Sequence, residues 1–529
     1  MTRSSRKIEF GDFQTPPDLA RRVCDLLCER GVRPATIVEP TCGRGAFVTA
    51  AMHCFSRSAT VLGFDVNAEH VAAARRAANR LGGNRNVVIR RADFFETDWV
   101  ELIQRCAAPI LVVGNPPWVA NADLGALGSG NLPEKSNFQA HRGLDAITGK
   151  ANFDISEWML IKLLEALHLR SGSLAMLCKT AVARKLMAFA IRKGLSVDRI
   201  AAFAIDAKAH FQVSVDACLL VCNTGAKRPD LDAHWHSSLD ESEPDRTLGV
   251  RDGRLVADVA AHDRWKPLLG GRGPVWRSGI KHDCASVMEL TREGARYRNS
   301  LGELADLEPT HLYPMLKSSD LANGREGGSS RFMLVTQRSL ADSTEAIRRS
   351  APKTWRYLQA HASPLDGRAS RIYRDRPRFS IFGVGPYSFS KWKVAVSGLY
   401  KKLCFRLVGP REGKPTVLDD TCYFLPAENA AEAFVLTVAL NSPVAAEFLG
   451  AFIFWDEMRP IKKDALGEID IDALVARLGA DYFRDRMGEA PARVDAAALF
   501  SQSPSPVRDG TMPAVGVSPR SPSLHRRVP

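Results

Sequence analysis

Apolar and polar positions follow two different periods along the first 225 residues. Short runs dense in Val, Ile, Leu and Phe at 36–39, 60–65, 87–90, 110–114, 173–178, 199–205 and 215–223 predict strands. Between them, apolar residues recur at spacings of three and four, which predicts helices over 17–30, 46–55, 68–81 and 156–169. The first of these places Leu19, Val23, Leu26 and Leu27 on one side. Strands alternating with helices imply an α/β domain with a mostly parallel, doubly wound sheet. The last two strands are separated only by 206–214, too short for a helical crossover, so they are expected to form an antiparallel edge.

Beyond this pattern the periodicity weakens. Residues 120–150 are rich in Gly, Asn and Ser without a clear period, and a loop that long beside a strand end reads as a functional lid. Residues 226–500 read as a second, mixed α+β unit, with apolar helix-like runs at 433–440 and 445–452 supplying part of its core. Residues 501–529 combine Ser, Pro and Arg with no apolar period, as a disordered tail does. The expected division is therefore 1–225, 226–500 and 501–529. A length of 529 residues exceeds what one hydrophobic core serves, which agrees with it.

Composition narrows the class. No apolar run reaches membrane-spanning length and the first residues lack a signal-peptide core, so a cytoplasmic location is expected. Cys24/Cys28 and Cys218/Cys222 lack a second Cys or His pair that would complete a zinc site, and no metal is expected. The net charge is +13. Residues 345–414 carry 16 Lys/Arg against 4 Asp/Glu, a surplus of 12 that nearly equals it. Ten aromatics are interleaved there, the combination that phosphate contacts with base or sugar packing require. A solvated basic face is the ordinary alternative.

The candidate chemistry sits at strand ends. Asn115-Pro116-Pro117-Trp118 follows the run at 110–114, at the carboxyl edge where open α/β sheets bind ligands. The Asn115 oxygen and the Pro116 carbonyl can each accept one N–H of an exocyclic amine, while Trp118 offers a stacking face. A plain strand-ending turn is the competing reading. Upstream, Glu39-Pro40-Thr41-Cys42-Gly43-Arg44-Gly45 reads as strand, glycine turn and helix start. It is half a dinucleotide fingerprint, since Val48 occupies the third glycine position. Asp65 ends the next strand, where a carboxylate accepts both hydroxyls of a ribose. Asp93 follows the third and can accept from an adenine amino group, with Phe94 flanking the ring.

Together Thr15-Pro16, Glu39-Pro40-x-x-Gly43-x-Gly45, Asp65, Asp93 and Asn115-Pro116-Pro117-Trp118 resemble the S-adenosylmethionine-dependent DNA amino-methyltransferases. More narrowly, the chain resembles the gamma-type, TaqI-like adenine enzymes of restriction-modification systems. The likeness covers about 10–225 strongly and continues more weakly in Trp276-Arg277-Ser278-Gly279-Ile280-Lys281, Leu312-Tyr313-Pro314-Met315-Leu316 and Asp419-Asp420-Thr421-Cys422-Tyr423 through Asn441-Ser442. It implies a Rossmann-like, seven-stranded class I methyltransferase domain followed by an α+β target-recognition domain. It further implies that Thr15 and Glu39 hold the methionine moiety, Asp65 the ribose and Asp93 the adenine of S-adenosyl-L-methionine. Asn115, Pro116, Pro117 and Trp118 would grip the target base, and Phe211 matches the aromatic on its other face. Trp118 stands where the family more often has Tyr, and stacking needs only a π face.

The implied reaction is N6-methylation of an adenine flipped out of duplex DNA. The implied partner is double-stranded DNA, bound by a monomer, with any cognate restriction endonuclease a separate chain. A 5-position cytosine enzyme needs a Pro-Cys nucleophile, and the chain has no such dipeptide. A 4-amino cytosine enzyme usually has Ser where Asn115 stands. The same tetrapeptide occurs in protein-glutamine and some ribosomal RNA guanine methyltransferases, which usually lack a basic second domain of this size. A non-catalytic nucleic-acid-binding protein with a decayed fold is a third alternative, against which the intact Asn115, Asp65 and glycines argue.

Overall fold

The computed structural model describes residues 14–82, 86–119, 154–270, 273–325 and 330–486. The lid expected at 120–150 and the tail expected at 501–529 lie outside the described residues. The seven expected strands are all present, as β1 (Thr36–Glu39), β2 (Thr60–Asp65), β3 (Val87–Arg91), β4 (Ile110–Gly114), β5 (Gly172–Lys179), β6 (Val197–Ile205) and β7 (Ala217–Thr224). Their spatial order is β3-β2-β1-β4-β5-β7-β6, with β7 antiparallel to both neighbours. This is the Rossmann-like class I methyltransferase sheet. The order reverses between β1 and β4, and at such a switch point two loops diverge and leave a crevice.

Side chains alternate across each strand, and the two faces are covered by different helices. Leu111 and Val113 of β4 face a layer formed by α1 (Pro17–Glu29), α2 (Ala46–Cys54) and α3 (Ala68–Arg80). Ile110 and Val112 face α4 (Trp99–Gln104), α5 (Ile155–Leu167) and α6 (Thr180–Lys193). Sequence periodicity had not separated α4 or α6 from their surroundings. In α6, Leu186, Met187, Phe189 and Ala190 are all buried, so its apolar positions run nearly continuously rather than marking one stripe.

One expectation is corrected. The β6/β7 pair is antiparallel, but it is not an edge: β6 also pairs in parallel with β8 (Ala233–His236). Strands β9 (Arg246–Arg251) and β10 (Arg254–Val256) then extend the sheet to ten strands, past residue 225. The short β6–β7 connection holds α7 (Ala207–Phe211), closed by Gln212 at φ +61°.

The later part is β-rich. One sheet has four strands and another six, both built from residues between 277 and 427. Helices Ala430–Leu440 and Pro443–Gly450 pack their Ala433, Leu436, Leu440 and Phe448 into the core beside the four-stranded sheet. No single helix among the described residues is long and apolar enough to cross a membrane. Half of the ten aromatics of 345–414 are structural: Trp355, Tyr357, Phe379, Phe389 and Phe405 are buried. The interleaving of charge and aromatic rings therefore reflects core alternating with surface.

A buried ion pair joins the two parts of the chain. Arg184 of α6 lies 2.8 Å from Asp456 and 3.5 Å from Glu457, with both partners of the closer pair nearly enclosed. Burial pushes the Asp456 carboxyl above its usual range, and Arg184 opposes that shift. Arg184→Met should leave this carboxylate uncompensated and lower stability by about 3–5 kcal/mol. Adding Asp456→Asn should recover much of the loss. Urea unfolding of the two single variants and the double variant measures the coupling, and additive effects would refute it.

Candidate active site

The glycine turn after β1 is held from below. Gly43 and Gly45 adopt φ +50° and +90°, which disfavours a side chain at either position. A Cβ on Gly45 would stand 2.9 Å from Cβ of Ala74, so this glycine also sets how closely α2 packs on α3. The Gly43 N–H donates to Asp65 Oδ2 at 2.8 Å. Asp65 Oδ1 accepts from the Asn67 N–H at 2.8 Å and lies 3.4 Å from His70 Nδ1. Asp65 thus ties the turn to the end of β2, and its four lone-pair positions leave capacity for further donors.

Glu39, the last residue of β1, is 3% exposed. Its carboxylate accepts from the Val48 N–H, in the first turn of α2, whose N-cap Gly45 has no side chain to offer. Among the described residues its Oε2 has no hydrogen-bond partner. Burial holds the Glu39 carboxyl well above the usual carboxylate range, and the charge of Asp65 adds to the shift. A buried carboxylate with one unmatched oxygen suits a cationic group.

Residues ahead of α1 close over this turn. Gln14 Oε1 accepts from the Arg44 N–H at 3.0 Å. Thr15 Oγ1 accepts from Asn115 Nδ2 at 3.2 Å, orienting the Asn115 amide. Thr41 Oγ1 donates to the Asn115 carbonyl at 3.4 Å, joining the β1 and β4 loops directly. Thr15, Glu39, Gly43, Gly45, Asp65 and Asn115 are therefore brought to one rim. The sequence reading assigned Gln14 no role, and its only signal was its place next to Thr15.

Asp93 lies further along the same rim and accepts from the Phe95 N–H at 2.8 Å. Phe94 is 6% exposed, with its ring 4.8 Å from Trp99 and 6.0 Å from Trp158. Its ring belongs chiefly to the core, so any flanking contact comes from its edge. Trp118 is also buried, and its Nε1 donates to the Leu177 carbonyl of β5 at 3.3 Å. Phe211, at the end of α7, meets it edge to face with ring centroids 5.1 Å apart. Pro116 is buried and Pro117 half-buried between these groups and the β4 end. Two stacking gaps of about 3.5 Å each exceed 5.1 Å, so a planar ring enters between Trp118 and Phe211 only if one of them turns or withdraws.

The chain is similar to known methyltransferases. The chain is 45% identical over 469 residues to the type II methyltransferase M.NspV of Nostoc sp., covering 88% of this chain and 97% of that protein. It is 28% identical over 110 residues to the 23S rRNA (uracil(747)-C(5))-methyltransferase RlmC of Shewanella pealeana, 20% of this chain and 27% of that protein. Among solved structures it is similar to the type IIL restriction-modification enzyme MmeI in complex with DNA. That match has a TM-score of 0.47 at 12% identity, covering 84% of this chain and 63% of that one. No protein-family model matches the chain.

The raised Glu39 pKa carries a sign for stability. The folded free protein holds this proton more tightly than the unfolded chain, so stability falls as pH rises from the ordinary carboxylate range toward the raised value. Glu39→Gln should remove that contribution. Its melting temperature should exceed the parent's increasingly between about pH 5 and pH 8. Parallel pH profiles for the two proteins would show that Glu39 does not titrate this way.

Proposed function

The chain belongs to the type II S-adenosylmethionine-dependent DNA methyltransferases related to restriction-modification systems, and from that membership we propose that it is a gamma-type enzyme methylating the N6 amine of a specific adenine. The observation that carries this reading is the junction of the glycine turn with Asn115-Pro116-Pro117-Trp118 at the sheet's switch point. The β-rich part beyond the ten-stranded sheet takes the role of target recognition.

The residues present fit the cofactor. The unmatched buried oxygen of Glu39 supports a partner such as the methionine ammonium, with Thr15 beside it. Asp65 accepts the ribose hydroxyls, and Asp93 accepts from the adenine amine with the Phe94 edge behind it. S-adenosylmethionine, when bound, supplies a methyl group on a positively charged sulfur. Asn115 and the Pro116 carbonyl accept the two hydrogens of the target amine. Its nitrogen, otherwise conjugated with the ring, is then held pyramidal with a lone pair toward the glycine-turn side. Trp118 and Phe211 hold the extrahelical base once their edge-to-face contact opens. Positioning and electrostatics provide the catalysis, with no covalent intermediate on the protein. Attack by a thiolate at cytosine C5 finds no support: Cys42, beside the turn, is buried, and burial with the nearby Glu39 charge pushes its thiol far up.

The decisive experiment expresses the chain in a methylation-free host and maps N6-methyladenine by single-molecule sequencing. A single modified motif is expected, and methylated cytosine in its place would refute the adenine assignment. Asn115→Ala should lower the methylation rate by about 10²–10³ while calorimetric cofactor affinity stays close to the parent's. Parental turnover in that variant would remove Asn115 from the chemistry.

Phosphate binding is expected from cations that no carboxylate neutralises. Arg378 is paired with Asp366 at 2.6 Å and Lys353 with Asp306 at 2.6 Å, whereas Arg371, Arg374 and Arg376 are exposed on one turn. Replacing these three with Gln should flatten the salt dependence of duplex binding by roughly 0.9 in log–log slope per lost phosphate contact. An unchanged slope would locate the DNA elsewhere.

A further inference from the structure

The side-chain amide of Asn115 carries an oxygen on one side and an –NH₂ on the other, and only the oxygen can accept from a target amine. Half a turn about its last torsion exchanges the two, and that torsion is soft. Thr41 does not prevent the exchange, because its Oγ1 donates to the Asn115 backbone carbonyl at 3.4 Å and holds the main chain, not the amide. Thr15 does face the amide, with its Oγ1 accepting from Asn115 Nδ2 at 3.2 Å. A hydroxyl is ambivalent, since it can accept from an –NH₂ or donate to a carbonyl oxygen. Thr15 therefore selects the productive orientation when its own proton is committed to another acceptor.

The place of Thr15 brings such an acceptor within its surroundings. Gln14 Oε1 accepts from the Arg44 N–H at 3.0 Å, and a Cβ on Gly43 would stand 2.7 Å from that oxygen. Gln14 thus lies directly on the glycine turn and holds Thr15 beside it. Across the rim, a Cβ on Gly114, the residue before Asn115, would stand 3.6 Å from Cγ of Glu39. The unmatched Glu39 oxygen is therefore close to the strand end that carries Asn115. An amino-acid group bears its carboxylate on the same carbon as its ammonium. A site that takes the ammonium at Glu39 consequently receives a carboxylate, a strong charged acceptor for a hydroxyl, at this end of the rim.

We propose that the Thr15 hydroxyl is a positioning group that couples the carboxylate of the bound cofactor to the orientation of the Asn115 amide. With its proton donated to that carboxylate, the hydroxyl can only accept from Asn115. Nδ2 then stays on Thr15 and Oδ1 is turned to the target amine. Donation to a charged acceptor also strengthens the bond that the same hydroxyl accepts. The amine-gripping geometry is thus favoured in the loaded enzyme over the free one. The inference rests on the amine-gripping reading above and gives Thr15 a task beyond holding the methionine moiety.

The test uses the full chain and a duplex carrying the mapped motif. The methyl donor is S-adenosylmethionine or its decarboxylated form, which keeps the sulfonium methyl and the ammonium. At saturating S-adenosylmethionine, Thr15→Val should keep the parental melting temperature and slow single-turnover methylation by about tenfold, as loss of one hydrogen bond implies. Thr15→Ser should restore most of the rate. The decarboxylated donor should slow the parent by a similar factor and slow Thr15→Val no further, because hydroxyl and carboxylate act as one unit. In duplex binding, with no methyl to transfer, S-adenosylhomocysteine should tighten the parent's affinity more than its decarboxylated form does. The two should act equally on Thr15→Val. A parental rate in Thr15→Val would overturn the coupling, as would losses that simply add, or equal tightening by the two analogues in the parent. If the parent methylates no adenine, or Asn115→Ala keeps the parental rate, the amine-gripping reading fails and the coupling falls with it.

Discussion

The parallel pairing of β1 with β4 is the constraint on which the site depends. Ile37 sits opposite Leu111 and Val38 opposite Val112, and each pair faces a different core layer. Slipping the register by one residue would exchange those faces and place apolar side chains against the wrong helices. The packing of both layers therefore fixes how far each strand runs before its loop begins. Glu39 and the glycine turn consequently emerge beside Asn115, close enough for Thr41 to bridge them. No strong interaction between the two loops is needed to hold them together.

That rigidity permits an unfavourable group. Glu39 is buried beside Asp65 with one oxygen unmatched, an arrangement that costs the free protein stability. The surrounding core sustains it, and a cation that fills the site recovers part of the cost as binding energy. The same economy is absent from Asp65, whose oxygens already hold the Gly43 and Asn67 amides. One carboxylate keeps an unmatched oxygen while the other shapes the turn beside it.

The aromatic wall has a different origin. Phe211 reaches Trp118 because β7 reverses direction between β5 and β6, so the short β6–β7 connection crosses the carboxyl end of the sheet. Gln212 in the left-handed region ends α7 and turns the chain back into the sheet. The later part is then fastened along this same end by Arg184 with Asp456 and by Lys401 with Asp216.

The sequence by itself determined the seven strands and the rim to which Asp65, Asp93 and Asn115 belong. Those features are local: a strand's apolar run, its turn residues and its terminal side chain lie within a few positions of one another. The tertiary structure alone decided that β8–β10 continue the sheet beyond residue 225, because the partner of a strand edge is chosen by packing, not by period. It also decided that Phe94 and half of the aromatics of 345–414 are core, since a ring beside charges in sequence reads alike whether it points in or out. The Glu39–Val48 contact and the Arg184–Asp456 clamp join residues far apart in the chain or depend on surroundings that no local pattern encodes.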